Sequence, residues 1–142
     1  MATIALVGCV KSKRPHPAPA EDLYTSALFR ALRAYARRHA DRWFILSAEH
    51  GLLQPQDVVQ PYEKTLLTMA KPARQQWASK VATQLDAVLP AGCRLILLAG
   101  QRYREDLEPL LQARGHQIDV PLRGLRLGEQ LRQLRKEAAL GN

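Results

Sequence analysis

"LSAEHGLLQP", residues 46–55, decides how the chain is read. The apolar run Trp43–Leu46 enters it and stops at Ser47, Glu49 and His50, with Gly51 next. A turn out of a buried strand needs only the glycine. The serine, the carboxylate and the imidazole are therefore either a solvated loop or groups delivered to a site. Upstream, "RWFILSA" has the length and aliphatic content of a strand buried on both faces, as in a parallel sheet.

Working outward, "TIALVGCV" reads as a first buried strand. It gives way to "KSKRPHPAPAEDLYTS", whose prolines argue against regular structure and whose length inside a small domain points to disorder or function. Ser26 is a suitable N-cap for a helix that carries Leu28, Ala31, Leu32, Tyr35 and Ala36 on one face. Arg30, Arg33 and Arg37 fall on another face of that helix. The second strand is "RWFILSA", followed by an irregular stretch through Gly51, Pro55 and Pro61. Pro72 suits the first turn of a second helix with a wide apolar face from Trp77 to Leu89. "RLILLAG" is a third strand, and "QRYREDLEPLLQARG" a third helix with a kink expected at Pro109. "QIDVPL" is a weaker fourth strand, and a last helix carries Leu127, Leu131, Leu134 and Ala138.

Strands alternating with helices predict a parallel sheet built by right-handed crossovers. The expected architecture is one three-layer α/β domain over residues 1–142. It has a four-stranded parallel sheet in the order 2-1-3-4, with Leu6, Ile45 and Leu97 at its centre. In such sheets ligands sit beyond the carboxyl ends of the strands. "GCVKSK", "SAEHGL", "AGQRY" and "PLRGL" would share that rim, which brings Ser47, Glu49 and His50 beside Lys11, Lys13, Gln101 and Tyr103.

Composition narrows the partners. The 21 basic and 13 acidic residues give a formal charge of +8, which points to a polyanion, nucleic acid first, or to a basic but inert surface. The apolar start runs into "KSKR" without a basic leader, so no signal peptide is expected and the cytoplasm is the expected location. No apolar run approaches the ~20 residues of a membrane span. Cys9 and Cys93 make no disulfide framework, and each reads as a buried thiol.

Motif spacing excludes several chemistries. "GCVKSK" is neither a Walker loop nor a dinucleotide fingerprint, although its two lysines beside backbone amides suit phosphate as well as they suit a solubilising loop. His16, His39, His50 and His116 are scattered without metal-ligand spacing, so neither a metal nor another cofactor is expected. A Cys9–His50 nucleophile pair is conceivable, but a structural thiol is the stronger reading of Cys9. The Arg30–Arg33–Arg37 stripe either tracks a phosphate backbone or is a solvated face.

Five motifs carry a resemblance: Lys11-x-Lys13, "LYTSALF" (23–29), "LSAEHGL" (46–52), "PYEKTL" (61–66) and "PLRGLRLGEQL" (121–131). Together they resemble an uncharacterised bacterial and phage α/β domain family, over almost the whole chain. More distantly, the chain is similar to the YaaA peroxide-stress proteins and the uracil-DNA glycosylase-like fold, although the glycosylase motifs G-Q-D-P-Y and H-P-S are absent. The resemblance implies a nucleic-acid-binding protein, on DNA rather than RNA, that acts on an N-glycosidic bond or a nucleobase. Glu49 would place water, and His50, Gln101 or Lys13 would stabilise the leaving base. Tyr24, Tyr62 or Tyr103 would stack on the base, Ser47 would face inward, and Lys11 and the arginine stripe would hold phosphates. The alternatives are a non-catalytic DNA- or RNA-binding stress protein and a small nucleoside hydrolase or deoxyribosyltransferase.

Overall fold

The structure, a computed structural model, describes residues 1–8 and 13–140. Lys11 and Cys9, both singled out from the sequence, lie outside the described residues.

The sheet is built around β1 (Thr3–Gly8), which pairs in parallel with β3 (Arg42–Ser47) on one side and β6 (Arg94–Leu98) on the other. The short β7 (Gln117–Asp119) adds in parallel beyond β6. These four are the expected strands, and their side chains explain why they pair at the centre. Leu6 faces Phe44 in one register and Leu97 in the other, and Leu6, Ile45 and Leu97 are all at most 1% exposed. A strand buried on both faces has no polar alternation to preserve, so it reads as a continuous aliphatic run.

One expectation is corrected. The sheet has five strands, not four, and is mixed rather than purely parallel: its order is β4-β3-β1-β6-β7, with β4 (Gly51–Leu53) antiparallel on β3. The stretch after Gly51 is therefore not irregular at its start. Residues 48–50 reverse the chain so tightly that Ser47 pairs with Gly51 and Leu53 returns opposite Ile45. The adjacent leucines were the sequence signal, because a leucine that leaves a turn toward the core covers an otherwise bare sheet edge.

The proline-rich segment also holds regular structure. β2 (Ala18–Pro19) pairs antiparallel with β5 (Val58–Val59), and α1 (Ala20–Leu23) starts directly after it. The amides of Ala20 and Glu21 donate to the carbonyls of Asp57 and Pro55 at 2.7 and 2.9 Å, so partners distant in sequence supply what the prolines cannot.

Helices cover both faces. α2 (Ala27–His39) and α6 (Leu127–Leu140) lie on one face, where Phe29, Leu32 and Leu134 meet Ile45 and Ile96. α3 (Lys71–Val88) and α5 (Leu107–Ala113) lie on the other, where Trp77, Val81 and Leu111 meet Phe44 and Leu97. Ser26 caps α2 as its position predicts, accepting from the Phe29 amide at 3.0 Å. The third predicted helix is two pieces, α4 (Gln101–Arg104) and α5, and the break precedes Pro109. Pro109 sits in the first turn of α5, where its missing N–H leaves no bond unmade. Leu127, expected on a buried face, is 69% exposed at the first turn of α6.

Between α2 and α6 the Glu137 carboxylate accepts from Arg38 and from His39. Burial pushes the Glu137 carboxyl up, but these hydrogen bonds outweigh it and hold the group below its ordinary value of 4.5. A depressed carboxyl contributes stability above its unfolded value and loses it as pH falls through the folded one.

Two outcomes are expected. Leu97→Ala removes a buried side chain from the sheet centre and should cost about 2–5 kcal/mol in denaturant unfolding; a loss under about 0.5 kcal/mol contradicts the burial of this strand. In thermal melts, Glu137→Gln should lower Tm near neutral pH, and the gap from wild type should close as pH drops well below 4.5. A gap that is constant with pH assigns the effect to packing instead.

Candidate functional site

Ser47 ends β3 and is 0% exposed. Its hydroxyl donates to the Tyr62 hydroxyl at 2.8 Å and accepts from the His50 amide at 3.1 Å. Its carbonyl accepts from the Trp77 indole N–H of α3, also at 2.8 Å. Among the described residues its partners come from the residue 62 loop, the following turn and a helix. Ser47 thus organises the turn that presents Glu49 and His50.

Gly51 completes that turn with φ +76°, a left-handed conformation that other residues adopt only with strain. A Cβ there would stand 2.4 Å from the Gln84 side-chain oxygen. That oxygen accepts from the Leu52 amide at 2.9 Å. The glycine is therefore required by the backbone and by Gln84 of α3, rather than to leave a ligand pocket unfilled.

Around this turn the structure gathers residues from separate parts of the sequence. Tyr24 and Tyr62 bring their hydroxyls to 2.5 Å of each other. Lys13 bridges to Tyr24 through the backbone and places its ammonium 4.5 Å from the Tyr62 ring centroid and 5.8 Å from that of Tyr24. His50 meets Tyr62 edge-on at 5.6 Å. Lys13, Tyr24, Ser47, His50 and Tyr62 therefore form one cluster, linked through the hydroxyl chain Ser47–Tyr62–Tyr24. His50 and Glu49 are exposed, Tyr62 is half-buried, and Tyr24 is 1% exposed. Tyr62 alone of the three tyrosines combines partial exposure with contacts to both Lys13 and His50.

Other predicted residues fall elsewhere. Tyr103 is 7% exposed and packs edge-on against Trp77 at 5.4 Å, so it belongs to the core rather than to a stacking surface. Gln101 is exposed at the start of α4, beyond the end of β6 and across β1 from the cluster. There it lines a partly enclosed cavity of about 250 Å³ with Gly100, Arg104, Leu122, Leu125 and Gln130. Gln101 thus lies on the β6 side of the end of β1, and the Lys13 cluster on the β3 side.

The arginine stripe is largely committed. Arg33 donates to the Glu21 carbonyl at 2.7 Å and pairs with Asp22 at 3.5 Å, while Arg37 pairs with Glu21 at 3.2 Å. Arg30 is exposed and makes no ion pair among the described residues. A set of cations that the sequence reading missed lies on α6: Arg132, Arg135 and Lys136 are exposed at helical spacing and, among the described residues, carry no ion pair. The run "RQLRK" was the available signal. Among the described residues, no group of acidic, histidine or cysteine side chains could hold a metal ion, and no helix is long and apolar enough to cross a membrane.

Gly51→Ala should destabilise the protein by about 1–2 kcal/mol from the left-handed backbone alone, and by more if Gln84 cannot move aside. Denaturant unfolding measures this, and a neutral or stabilising result contradicts the conformation assigned to the turn.

Two comparisons bear on identity. Residues 4–136 match a family described as a family of unknown function, DUF6884. The uncharacterized protein YfjM of Bacillus subtilis (strain 168) is 32% identical over 135 residues, spanning 86% of this chain and 85% of that protein. They support the uncharacterised family to which the sequence motifs point, while the YaaA and glycosylase likeness stays an expectation. With a match that runs from the first strand into the last helix, the chain belongs to the DUF6884 family.

Proposed function

We propose that the protein binds nucleic acid across the strand-end rim, DNA in preference to RNA, and acts there on an N-glycosidic bond. The observation that carries this reading is the convergence of Lys13, Tyr24, Ser47, His50 and Tyr62, from three separate segments, at the ends of the central strands. A rim that holds a cation, an exposed imidazole and a half-buried aromatic ring has what a polyanion with stacking bases requires. The net charge of +8 and the unpaired cations of α6 favour the same class of partner.

In this reading Lys13 contacts phosphate and Tyr62 supplies the stacking face. Hydrolysis breaks the bond between the sugar C1′ and the base nitrogen. The bonding electron pair leaves with the base, His50 gives that base a proton, and Glu49 takes the proton of the attacking water. Tyr24 and Ser47 position Tyr62 through their hydroxyls and do not touch the substrate. A second reading, binding without chemistry, is favoured by the exposure of both Glu49 and His50, because a carboxylate that places water works best where bulk solvent is excluded.

Binding of a labelled oligonucleotide should weaken steeply with salt. Replacing Arg132, Arg135 and Lys136 together by glutamine should flatten the log–log slope by up to about 3 units, and replacing Arg30, Arg33 and Arg37 by about 1, since two of the latter are already paired. Equal effects from the two triples contradict the charge distribution described above. His50→Ala and Lys13→Ala should each abolish binding or turnover with little change in Tm. Alkali-labile sites in base-modified oligonucleotides would establish the glycosidic chemistry, and binding without such sites leaves the non-catalytic reading.

A further inference from the structure

The cavity beyond β6 and β7 is separate from the Lys13–Tyr62 cluster, and no step described so far uses it. It measures about 250 Å³. That is below the roughly 300–1,000 Å³ of sites for drug-sized ligands, which limits its occupant to about one ring system. Its walls combine apolar surface from Leu122 and Leu125 with the amides of Gln101 and Gln130.

The polar groups define the ligand's charge and shape. Gln130 donates one amide hydrogen to the Leu125 carbonyl at 2.9 Å, which fixes its amide plane and leaves its carbonyl oxygen and second N–H for a ligand. Arg104, the cation in the wall, is held in place: its Nε donates to the Ala99 carbonyl at 2.9 Å and its guanidinium shares the Glu108 carboxylate, at 3.5 Å, with Arg123. What is on offer is a pair of neutral donor–acceptor amides between apolar walls, which complements a flat, neutral heterocycle with donors and acceptors on its edge. Glutamine amides read base edges in this way.

The cavity is also placed to receive a group from the rim. A Cβ on Gly8, the last residue of β1, would lie 2.9 Å from the Cβ of Ala99, which lines the cavity. The end of β1 therefore abuts the cavity wall, between the cavity and the Lys13 cluster. At Gly100 an added Cβ meets nothing within 4 Å.

We propose that this cavity binds a nucleobase, held between Leu122 and Leu125 and read by the Gln101 and Gln130 amides. The inference rests on the nucleic-acid reading of the rim and gives that reading its base-binding subsite.

The test titrates the protein with adenine, guanine, cytosine, uracil and thymine one at a time, following backbone amide shifts by NMR. A single-stranded oligonucleotide is titrated separately at low salt. At least one base should give saturable shifts confined to residues around Gly100, Gln101, Gly124 and Leu125, with a dissociation constant of about 1 mM or tighter. Gly100→Leu fills the cavity from a position with free space, and it should weaken that base at least about tenfold, a loss of about 1.4 kcal/mol. Gln130→Leu serves the same purpose should Gly100→Leu fail to fold. No saturable shift with any base, or undiminished base binding in a folded cavity variant, overturns the proposal. The two readings fail separately. Oligonucleotide binding without base binding removes the cavity proposal and leaves the rim. Base binding without oligonucleotide binding removes the rim reading and leaves the cavity.

Discussion

The hydroxyl of Ser47, buried where β3 ends, is the point through which the polar cluster is tied to the sheet. It gives a hydrogen to Tyr62 and takes one from the His50 amide, while the carbonyl of the same residue takes one from Trp77. Removing a hydroxyl from such a position leaves buried partners unpaired, which costs more than the bond itself contributes. Through Ser47 the residue 62 loop, the turn at residues 48–50 and the α3 helix have one mutual position. Tyr62 then extends that order to Tyr24 and, through its ring, to Lys13 and His50. A half-buried tyrosine held at its hydroxyl keeps one orientation, so the cation and the imidazole beside it keep theirs.

The sheet supplies the second constraint. The chain leaves β1 toward β3 with α2 on one face, and leaves β6 toward β7, the opposite way along the sheet, with α5 on the other face. The connections therefore diverge at the ends of β1 and β6, which opens a crevice of the kind where open α/β sheets place ligands. The cavity lined by Gly100 and Gln101 lies on the β6 side of this divergence, and the Lys13 cluster lies on the β3 side. Both halves are needed if a polyanion is held at one and a single ring is taken up at the other.

Charge is distributed in a way that net charge alone conceals. On α2, Arg33 and Arg37 reach α1, where they pair with Asp22 and Glu21 and the Glu21 carbonyl accepts from Arg33. These arginines pin the short α1 against a longer helix, with their charges paired by its carboxylates. On α6 the comparable cations Arg132, Arg135 and Lys136 face solvent and carry no ion pair among the described residues.

The sequence by itself determined the four parallel strands, the long helices and the candidate residues that the cluster contains. Strands buried on both faces and helices with one apolar stripe have patterns that no neighbour needs to complete, so Leu6, Ile45 and Leu97 were legible as core. Ser47 and His50 were legible as rim groups because they end and closely follow the second strand, and Lys13 because it lies in the polar segment after the first. Only the tertiary structure decided which tyrosine lies partly exposed beside Lys13 and His50: Tyr62 does, whereas Tyr103 packs on Trp77 and Tyr24 is buried with its hydroxyl against that of Tyr62. It also decided that Gly51 begins an edge strand, that the proline-rich segment pairs with Val58 and Val59, and that two of the three arginines are neutralised. Each of these depends on partners distant in sequence. A hydrogen bond or ion pair between such partners leaves no periodic mark in either segment, and only the folded chain brings the two ends together.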